Sequence, residues 1–332
     1  MYSQTVPSTA PHSQALKLPG QFGERFVVGR NDLIKEVARA VLPFHFQISP
    51  MQEGVQITGD EVAVMLASRI LQRISEALPE IGTADAPLLK EIISSAVQNT
   101  LKRDLTFRLE GLRQAVQPMS LSQVAFMQTL LSKGGQLILG IGPTGTGKTH
   151  LAIAAALHKL SIGHVKHIVI TRPHVVMEGE IVTQASRNEL ESDDQFEFFE
   201  DILRDLIGYQ EFNRLISQRM LELTPLGHMR GRTFNDTFII VDEAQNMTIR
   251  KMRMAVTRIG QGSRMVVTGN PDQIDLRGEE TSGLVNLLGL VQGTDVASVH
   301  HFEKNQIIRT NIVAQLEELY ARQNADNAAF AA

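Results

Sequence analysis

Gly142-Pro143-Thr144-Gly145-Thr146-Gly147-Lys148-Thr149 is the stretch that decides the fold. It satisfies G-x-x-x-x-G-K-[ST], and each residue type has a mechanical reason. The glycines let backbone N–H groups turn inward and come close to phosphate oxygens. Lys148 supplies positive charge toward the β- and γ-phosphates, and the Thr149 hydroxyl is a ligand for Mg2+. Such a loop needs a strand before it and a helix after it, with the helix's positive end facing the phosphates. Leu137-Ile138-Leu139-Gly140-Ile141 is an apolar run bounded by glycine, and an Ala-rich helix is predicted from about Lys148 to Leu160. A glycine-rich surface turn does not account for Gly-Lys-Thr opening a helix.

Outward from the loop, strands and helices alternate. His167-Ile168-Val169-Ile170, Thr237-Phe238-Ile239-Ile240-Val241, Met265-Val266-Val267-Thr268 and Val296-Ala297-Ser298-Val299 are short, apolar and β-branched. Strands buried on both faces of a parallel sheet read this way, so the expected fold class is α/β with a mostly parallel sheet. A helix near 193–207 is marked by Phe196, Phe199, Leu203, Leu206 and Ile207 on one face, with Ser192-x-x-Gln195 fitting a capping box.

Phe238-Ile239-Ile240-Val241-Asp242-Glu243-Ala244-Gln245 runs from four apolar strand residues into two carboxylates. Ligands of open α/β sheets sit at that carboxyl edge. Asp242 is expected to hold Mg2+ with Thr149, and Glu243 to polarise an attacking water. Gln245 joins them among the catalytic candidates, with Lys148. A second carboxylate beside the first is the pattern of hydrolysing ATPases, whereas phosphate-loop kinases usually lack it because they must exclude water. The plainer reading of the pair is N-cap acids for a helix starting near Thr248. A third strand ends at Thr268-Gly269-Asn270-Pro271-Asp272-Gln273-Ile274-Asp275. Asn270 or Gln273 is a candidate contact to the γ-phosphate or the lytic water, against an Asx turn that merely caps the strand.

The rest of the chain bounds what the loop can serve. There is no Cys, which excludes disulfides, thiolate zinc sites and a Cys nucleophile. No apolar run approaches the roughly 18–20 residues of a spanning helix. Lys and Arg number 32 against 36 Asp and Glu, a net charge of −4, so any nucleic-acid surface is a local patch. The N-terminus has no charged region followed by an apolar one, and the cytoplasm is the expected compartment. The histidines make no metal-ligand spacing, and His300-His301 is read as structural or surface.

Five segments are expected. Residues 1–20, rich in Ser, Thr, Pro and Gln, read as a disordered tail. Residues 21–80 read as a small α+β domain in the order β-α-β-β-α: Arg25–Val28, Leu33–Leu42, Phe44–Ile48, Val55–Ile57 and Val62–Ile74. That order resembles K-homology-like RNA-binding modules, yet Gly29-Arg30-Asn31-Asp32 lacks the second glycine of their backbone clamp, and an accessory or oligomerisation domain fits as well. Residues 81–118 read as a linker with a helix from about Leu88 to Leu112. Residues 119–322 hold the phosphate-loop core, and 323–332 a flexible C-terminal tail.

The phosphate loop, Asp242-Glu243-Ala244-Gln245, Thr268–Leu276, Gly227-His228-Met229-Arg230-Gly231-Arg232-Thr233, and Ile170-Thr171-Arg172-Pro173 followed by Glu178-Gly179-Glu180 together resemble the PhoH family over about 119–322. The stretch departs from the family at Thr268-Gly269-Asn270, where Thr-Gly-Asp is commoner, and in 181–200, which lacks the usual Pro-Gly and Pro-Tyr. More distantly the chain resembles the first RecA-like core of superfamily 1 helicases, whose adenine-reading Gln would fall at Gln123. The resemblance implies a cytoplasmic ATPase that uses ATP and Mg2+, acts on RNA, forms a hexameric ring and is linked to an endoribonuclease of ribosomal RNA maturation.

Length adds a physical constraint. Translocating helicases close two such cores over one ATP, and too few residues follow Asp242 for a second. Either the missing surface comes from another subunit or motor action is absent, and a ring would allow an arginine finger in trans, worth roughly 10³–10⁵ in rate. Arg309 ranks first among the candidates, ahead of Arg277, Arg230 and Arg232. Arg230, Arg232, Arg250, Lys251, Arg253, Arg258 and Arg264 concentrate charge for an RNA groove or for a solvated helix face. The expected function is an ATP-driven, helicase-like ring acting on RNA. The alternatives are a nucleotide-dependent assembly factor without unwinding and a phosphate-loop kinase.

Overall fold

The computed structural model describes residues 12–16, 46–51, 54–59, 61–77, 86–134, 136–173, 196–276 and 281–303. They fall into two compact units, one built from residues 1–108 and 115–125, the other from 109–114 and 126–332.

The first unit carries three antiparallel strands, β1 (His12–Leu16), β2 (Phe46–Met51) and β3 (Gly54–Gly59), with β3 in the middle. Two helices follow, α1 (Glu61–Ala77) and α2 (Ala86–Asp104). Val55 and Ile57 are buried and the intervening Gln56 is exposed, as a strand with one covered face requires. Val64, Ala67, Ile70, Leu71 and Ile74 put the buried face of α1 into the same core, joined from α2 by Ile93, Ala96 and Leu101. Each fully buried Leu or Ile side chain contributes about 1.5–3 kcal/mol. Arg73 ties the helices together through Thr100 and, at 2.8 Å, Asp104.

Two expectations change here. His12–Leu16, placed in a tail by its composition, pairs along its whole length with β3. It is an edge strand whose Ser13 and Gln14 are exposed, so it lacks the apolar alternation that announces a strand. The helix expected to reach Leu112 ends at Asp104, and Phe107 then pairs with Val116 in an isolated bridge. The strand expected at Arg25–Val28 and the helix across Leu33–Leu42 lie outside the described residues.

Helix α3 (Leu121–Leu131) leads into the second unit. There β4 (Leu137–Ile141), α4 (Lys148–Ser161), β5 (His167–Thr171), α5 (Glu197–Ile207), α6 (Tyr209–Ser217), β6 (Leu221–Leu223), β7 (Thr237–Val241), α7 (Ile249–Val256), β8 (Arg264–Gly269), α8 (Gly283–Val291) and β9 (Ala297–His301) follow one another. The six strands form one sheet in the order β6-β5-β7-β8-β4-β9, every pairing parallel. This is the RecA-like α/β fold. Every residue of β4, β7 and β8 is buried, the reason their sequences are almost unbroken apolar runs. Because all strands run the same way, their C-terminal ends share one edge, and β8 alone separates β4 from β7.

The five strands anticipated in this region are all present. The structure adds β6, a Leu-Glu-Leu segment too short to show a period, and α6, where Tyr209, Phe212, Leu215 and Ile216 recur at helical spacing. The proposed capping residues Ser192 and Gln195 lie outside the described residues; α5 starts at Glu197 with Phe196 at its N-cap and no side-chain cap bond.

The opposite edge carries a correction. Arg264, counted above with the surface charge, opens β8 and is buried. Its guanidinium donates to the carbonyls of Thr129, Leu130, Ser132 and Gly134. Lys159 adds bonds to Leu131 O at 2.5 Å and Ser132 O at 3.1 Å. Two cations thus satisfy the carbonyls that the C-terminus of α3 leaves open, where the helix dipole favours positive charge. Among the described residues no helix is long and apolar enough to cross a membrane.

Candidate nucleotide site

The phosphate loop leaves β4 and winds into α4. Gly142, Gly145 and Gly147 have φ of 140°, 83° and 81°, left-handed values that disfavour any side chain. A Cβ on Gly142 would also lie 2.3 Å from Phe302 O. Phe302 follows β9 and donates its N–H to Ile141 O at 2.7 Å, so the last strand closes against the base of the loop.

Lys148 is buried and folds back over the loop. Its Nζ donates to Gly142 O at 2.8 Å, Pro143 O at 2.6 Å and Thr146 Oγ1 at 3.1 Å. Burial pushes its pKa down to about 8, against the opposing pull of the Asp242 and Glu243 carboxylates. An anionic phosphate can replace these three loop acceptors as the partner of the ammonium.

Asp242 leaves β7 immediately beside the loop. Thr149 Oγ1 donates to its Oδ1 at 2.9 Å, and Thr268 Oγ1, from the end of β8, donates to the same oxygen. The backbone N–H of Asp242 bonds to Thr171 O at 2.9 Å. Glu243 takes a left-handed conformation, φ 50° and ψ 37°, and its Oε2 accepts from Gln245 Nε2 at 2.6 Å. Gln245 Oε1 accepts in turn from the Asn270 N–H at 3.0 Å. The N-cap of α7 is Thr248, whose hydroxyl accepts from the Lys251 N–H. That removes the reading of Asp242 and Glu243 as caps for this helix.

The β8 turn reaches the loop as well. Gln273 Oε1 accepts from Thr144 Oγ1 at 2.8 Å, bringing two sequence-distant candidates together. Asn270 is buried and its Oδ1 accepts from the Asp272 N–H at 3.2 Å, so its side-chain oxygen does close an Asx turn. Gln123 belongs to the first unit, is buried, and accepts from the Met119 N–H at 2.7 Å. Arg277 and Arg309 lie outside the described residues.

Thr268 was quoted within a motif but given no role. A hydroxyl residue ending a buried strand next to Gly269 was the available signal.

The donor set suits a hard divalent cation. Thr149 and Asp242 offer two oxygens, and Mg2+ is ordinarily held by one or two protein oxygens, with phosphates and water completing the shell. Among the described residues no cluster of three or more His, Asp or Glu side chains is spaced to hold a metal without phosphate.

With this geometry in place, relatives can be weighed. The profile of the family described as "PhoH-like protein" matches residues 115–321. The chain belongs to the PhoH family. A PhoH-like protein of Bacillus subtilis (strain 168) is 31% identical over 279 residues, covering 82% of this chain and 86% of the relative. A PhoH-like protein of Mycobacterium tuberculosis (strain ATCC 25618 / H37Rv) is 31% identical over 276 residues, covering 81% and 77%. Among solved structures, the Sulfolobus solfataricus SWI2/SNF2 ATPase core in complex with dsDNA aligns at 12% identity and a TM-score of 0.32, covering 55% of this chain and 43% of that one. PhoH membership and the phosphate-loop fold are those of an NTPase-type enzyme that takes a nucleotide.

Two arginines of the expected basic patch are already engaged elsewhere. Arg232 forms a bidentate pair with Glu222 at 2.6 and 2.7 Å and stacks over Phe234 at 4.5 Å. Arg258 donates to the backbone of Met254 and Arg232. Arg230, Arg250, Lys251 and Arg253 are exposed. His300 is held below the usual histidine range, at about 4, by burial and then by the neighbouring His301, and it packs edge-on against Phe126.

Proposed function

We propose that the protein binds Mg·ATP in the Gly142–Thr149 loop and hydrolyses it. The observation that carries this reading is Glu243, adjacent to the Asp242 that Thr149 already touches, with its carboxylate oriented by Gln245. Lys148 exchanges loop carbonyls for the β- and γ-phosphates. Thr149 and Asp242 hold Mg2+, which when bound offsets charge on the phosphate oxygens. Glu243 takes a proton from the attacking water as its oxygen bonds to the γ-phosphorus and the bond to the β–γ bridging oxygen breaks. Asn270 and Gln273 line the approach from β8.

The finer reading is a ring that works on RNA. A single RecA-like core presents an open site, and a second copy is the simplest way to close it. Arg230 is the candidate to reach it: it is exposed directly after the 3-10 turn Leu226–Met229. Arg250 and Arg253, exposed on α7, are the side chains offered to an RNA backbone.

Steady-state ATP hydrolysis with and without RNA, together with strand displacement, tests the reading. Hydrolysis stimulated by RNA is expected, and Glu243→Gln should lower kcat on the order of 10²–10³-fold while nucleotide still binds. Undiminished turnover in Glu243→Gln would remove the base assignment. RNA-independent turnover without strand displacement would remove the RNA motor.

A further inference from the structure

Thr268 ends up holding the carboxylate on which the metal site depends. It is fully buried, and its hydroxyl donates to Asp242 Oδ1. Its place is set by the sheet: β8 lies between β4 and β7, and Thr268 pairs with Gly140. A Cβ on Gly140 would meet the Phe126 ring at 2.9 Å and Thr268 Cγ2 at 3.5 Å, so the threonine methyl is in ordinary contact beside that ring. A fully buried β-branched side chain has little rotamer freedom, which keeps its hydroxyl on Asp242.

Asp242 Oδ1 accepts from two hydroxyls, Thr149 and Thr268. They are not equivalent. To ligate a cation, the Thr149 oxygen offers it a lone pair, and its hydrogen can still go to Asp242. Thr268 cannot ligate in the same way, because it sits in the interior of the sheet. Among the described residues it is the one side chain donating to Asp242 that is not itself offered to the cation. Partners of this kind fix the direction of a ligating oxygen, and losing one typically costs 10–100-fold in metal affinity.

We propose that Thr268 is a positioning residue for Mg2+, acting through Asp242. The proposal rests on the Mg2+ site described under Proposed function. It differs from a γ-phosphate role for this turn, since Thr268 acts on the cation's ligand and not on the nucleotide.

The test reads metal affinity and not turnover. A fluorescent ADP analogue is bound to the full chain while Mg2+ is titrated, with an EDTA baseline. Thr268→Val keeps volume and branching but removes the donor. It should raise the Mg2+ concentration for half-maximal enhancement by about tenfold or more, with metal-free binding within about twofold of wild type. Thr268→Ser keeps the hydroxyl and should stay near wild type. Thr268→Ala, with its smaller side chain, is the second donor-free variant should the valine fail to fold, and it should shift the titration in the same direction. Thr171→Val is the control: that strand-end threonine has a buried hydroxyl with no partner among the described residues, and its loss should leave the titration in place. A donor-free variant within about twofold of wild type overturns the proposal. So does a serine variant as impaired as the valine, or an equal shift in Thr171→Val. Wild-type binding with no Mg2+ dependence would instead remove the metal site itself, and the proposal with it.

Discussion

Lys148 and Lys159 stand at opposite ends of α4, both buried, both pushed down to about 8 by that burial. Their neighbours differ. Lys148 faces the carboxylates of Asp242 and Glu243 and bonds to loop carbonyls that a phosphate can displace. Lys159 sits with Arg264 and Lys133, whose positive charges lower its pKa further, and bonds to carbonyls at the end of α3. A perturbed lysine is therefore no mark of a site by itself. Partners that can be exchanged make one lysine a binding group, and partners fixed in the backbone make the other a structural cap.

The largest effect expected from this contrast is on binding. Lys148→Ala should weaken nucleotide affinity on the order of a hundredfold or more, since charge-assisted bonds to phosphate are lost, with little change in melting temperature. Isothermal titration would show it. Equal loss of affinity in a well-folded Lys159→Met would break the contrast. Next comes Arg264→Met, which leaves buried carbonyls at the end of α3 without donors and should cost about 3 kcal/mol of stability in denaturant unfolding. Lys159→Met removes fewer bonds and should cost about 1 kcal/mol. A binding defect without a stability loss in either variant would place the cap in the nucleotide site.

The smallest effect is in pH dependence. Below pH 8 the Lys148 ammonium is already formed in the free protein, so affinity should be flat. Above pH 8 the free protein loses that proton while phosphate favours keeping it, so affinity should fall, by at most tenfold per pH unit. Lys148→Arg should move the decline well above pH 10. For stability the sign reverses. The folded pKa of Lys159, about 8, lies below the ordinary lysine value of 10.5, so the unfolded chain holds the proton better and stability should rise as pH goes from 8 to 10.5. His300 acts at the other end of the scale. With a folded pKa of about 4 against 6.5, it favours unfolding increasingly as pH falls from 6.5 to 4.

The legible parts of the molecule were those with local signals. β4, β7 and β8 are buried on both faces, so their sequences are apolar at nearly every central position and read as strands. The loop and its two carboxylates are consecutive residues at strand ends. What escaped depends on pairing across distance. β1 is polar and becomes a strand only by lying along β3. Gln273 meets Thr144, and Thr268 meets Asp242, because β8 is inserted between β4 and β7, a neighbour relation that no single segment encodes. Arg264 was read as surface charge because counting charge along the chain ignores that it opens a wholly buried strand. An arginine immediately preceding Met-Val-Val was the clue.

The pairing of β4 has a consequence for how the molecule is made. Its two partners, β8 and β9, are both translated long after it. During synthesis the strand that carries the phosphate loop thus has both edges unpaired while most of the unit emerges. Non-local parallel pairing of this kind slows folding and leaves apolar edges open to wrong partners. Phe302 bonds to the base of the phosphate loop, so the loop cannot reach its final setting before β9 has emerged, and occupancy by nucleotide would report that the sheet is complete.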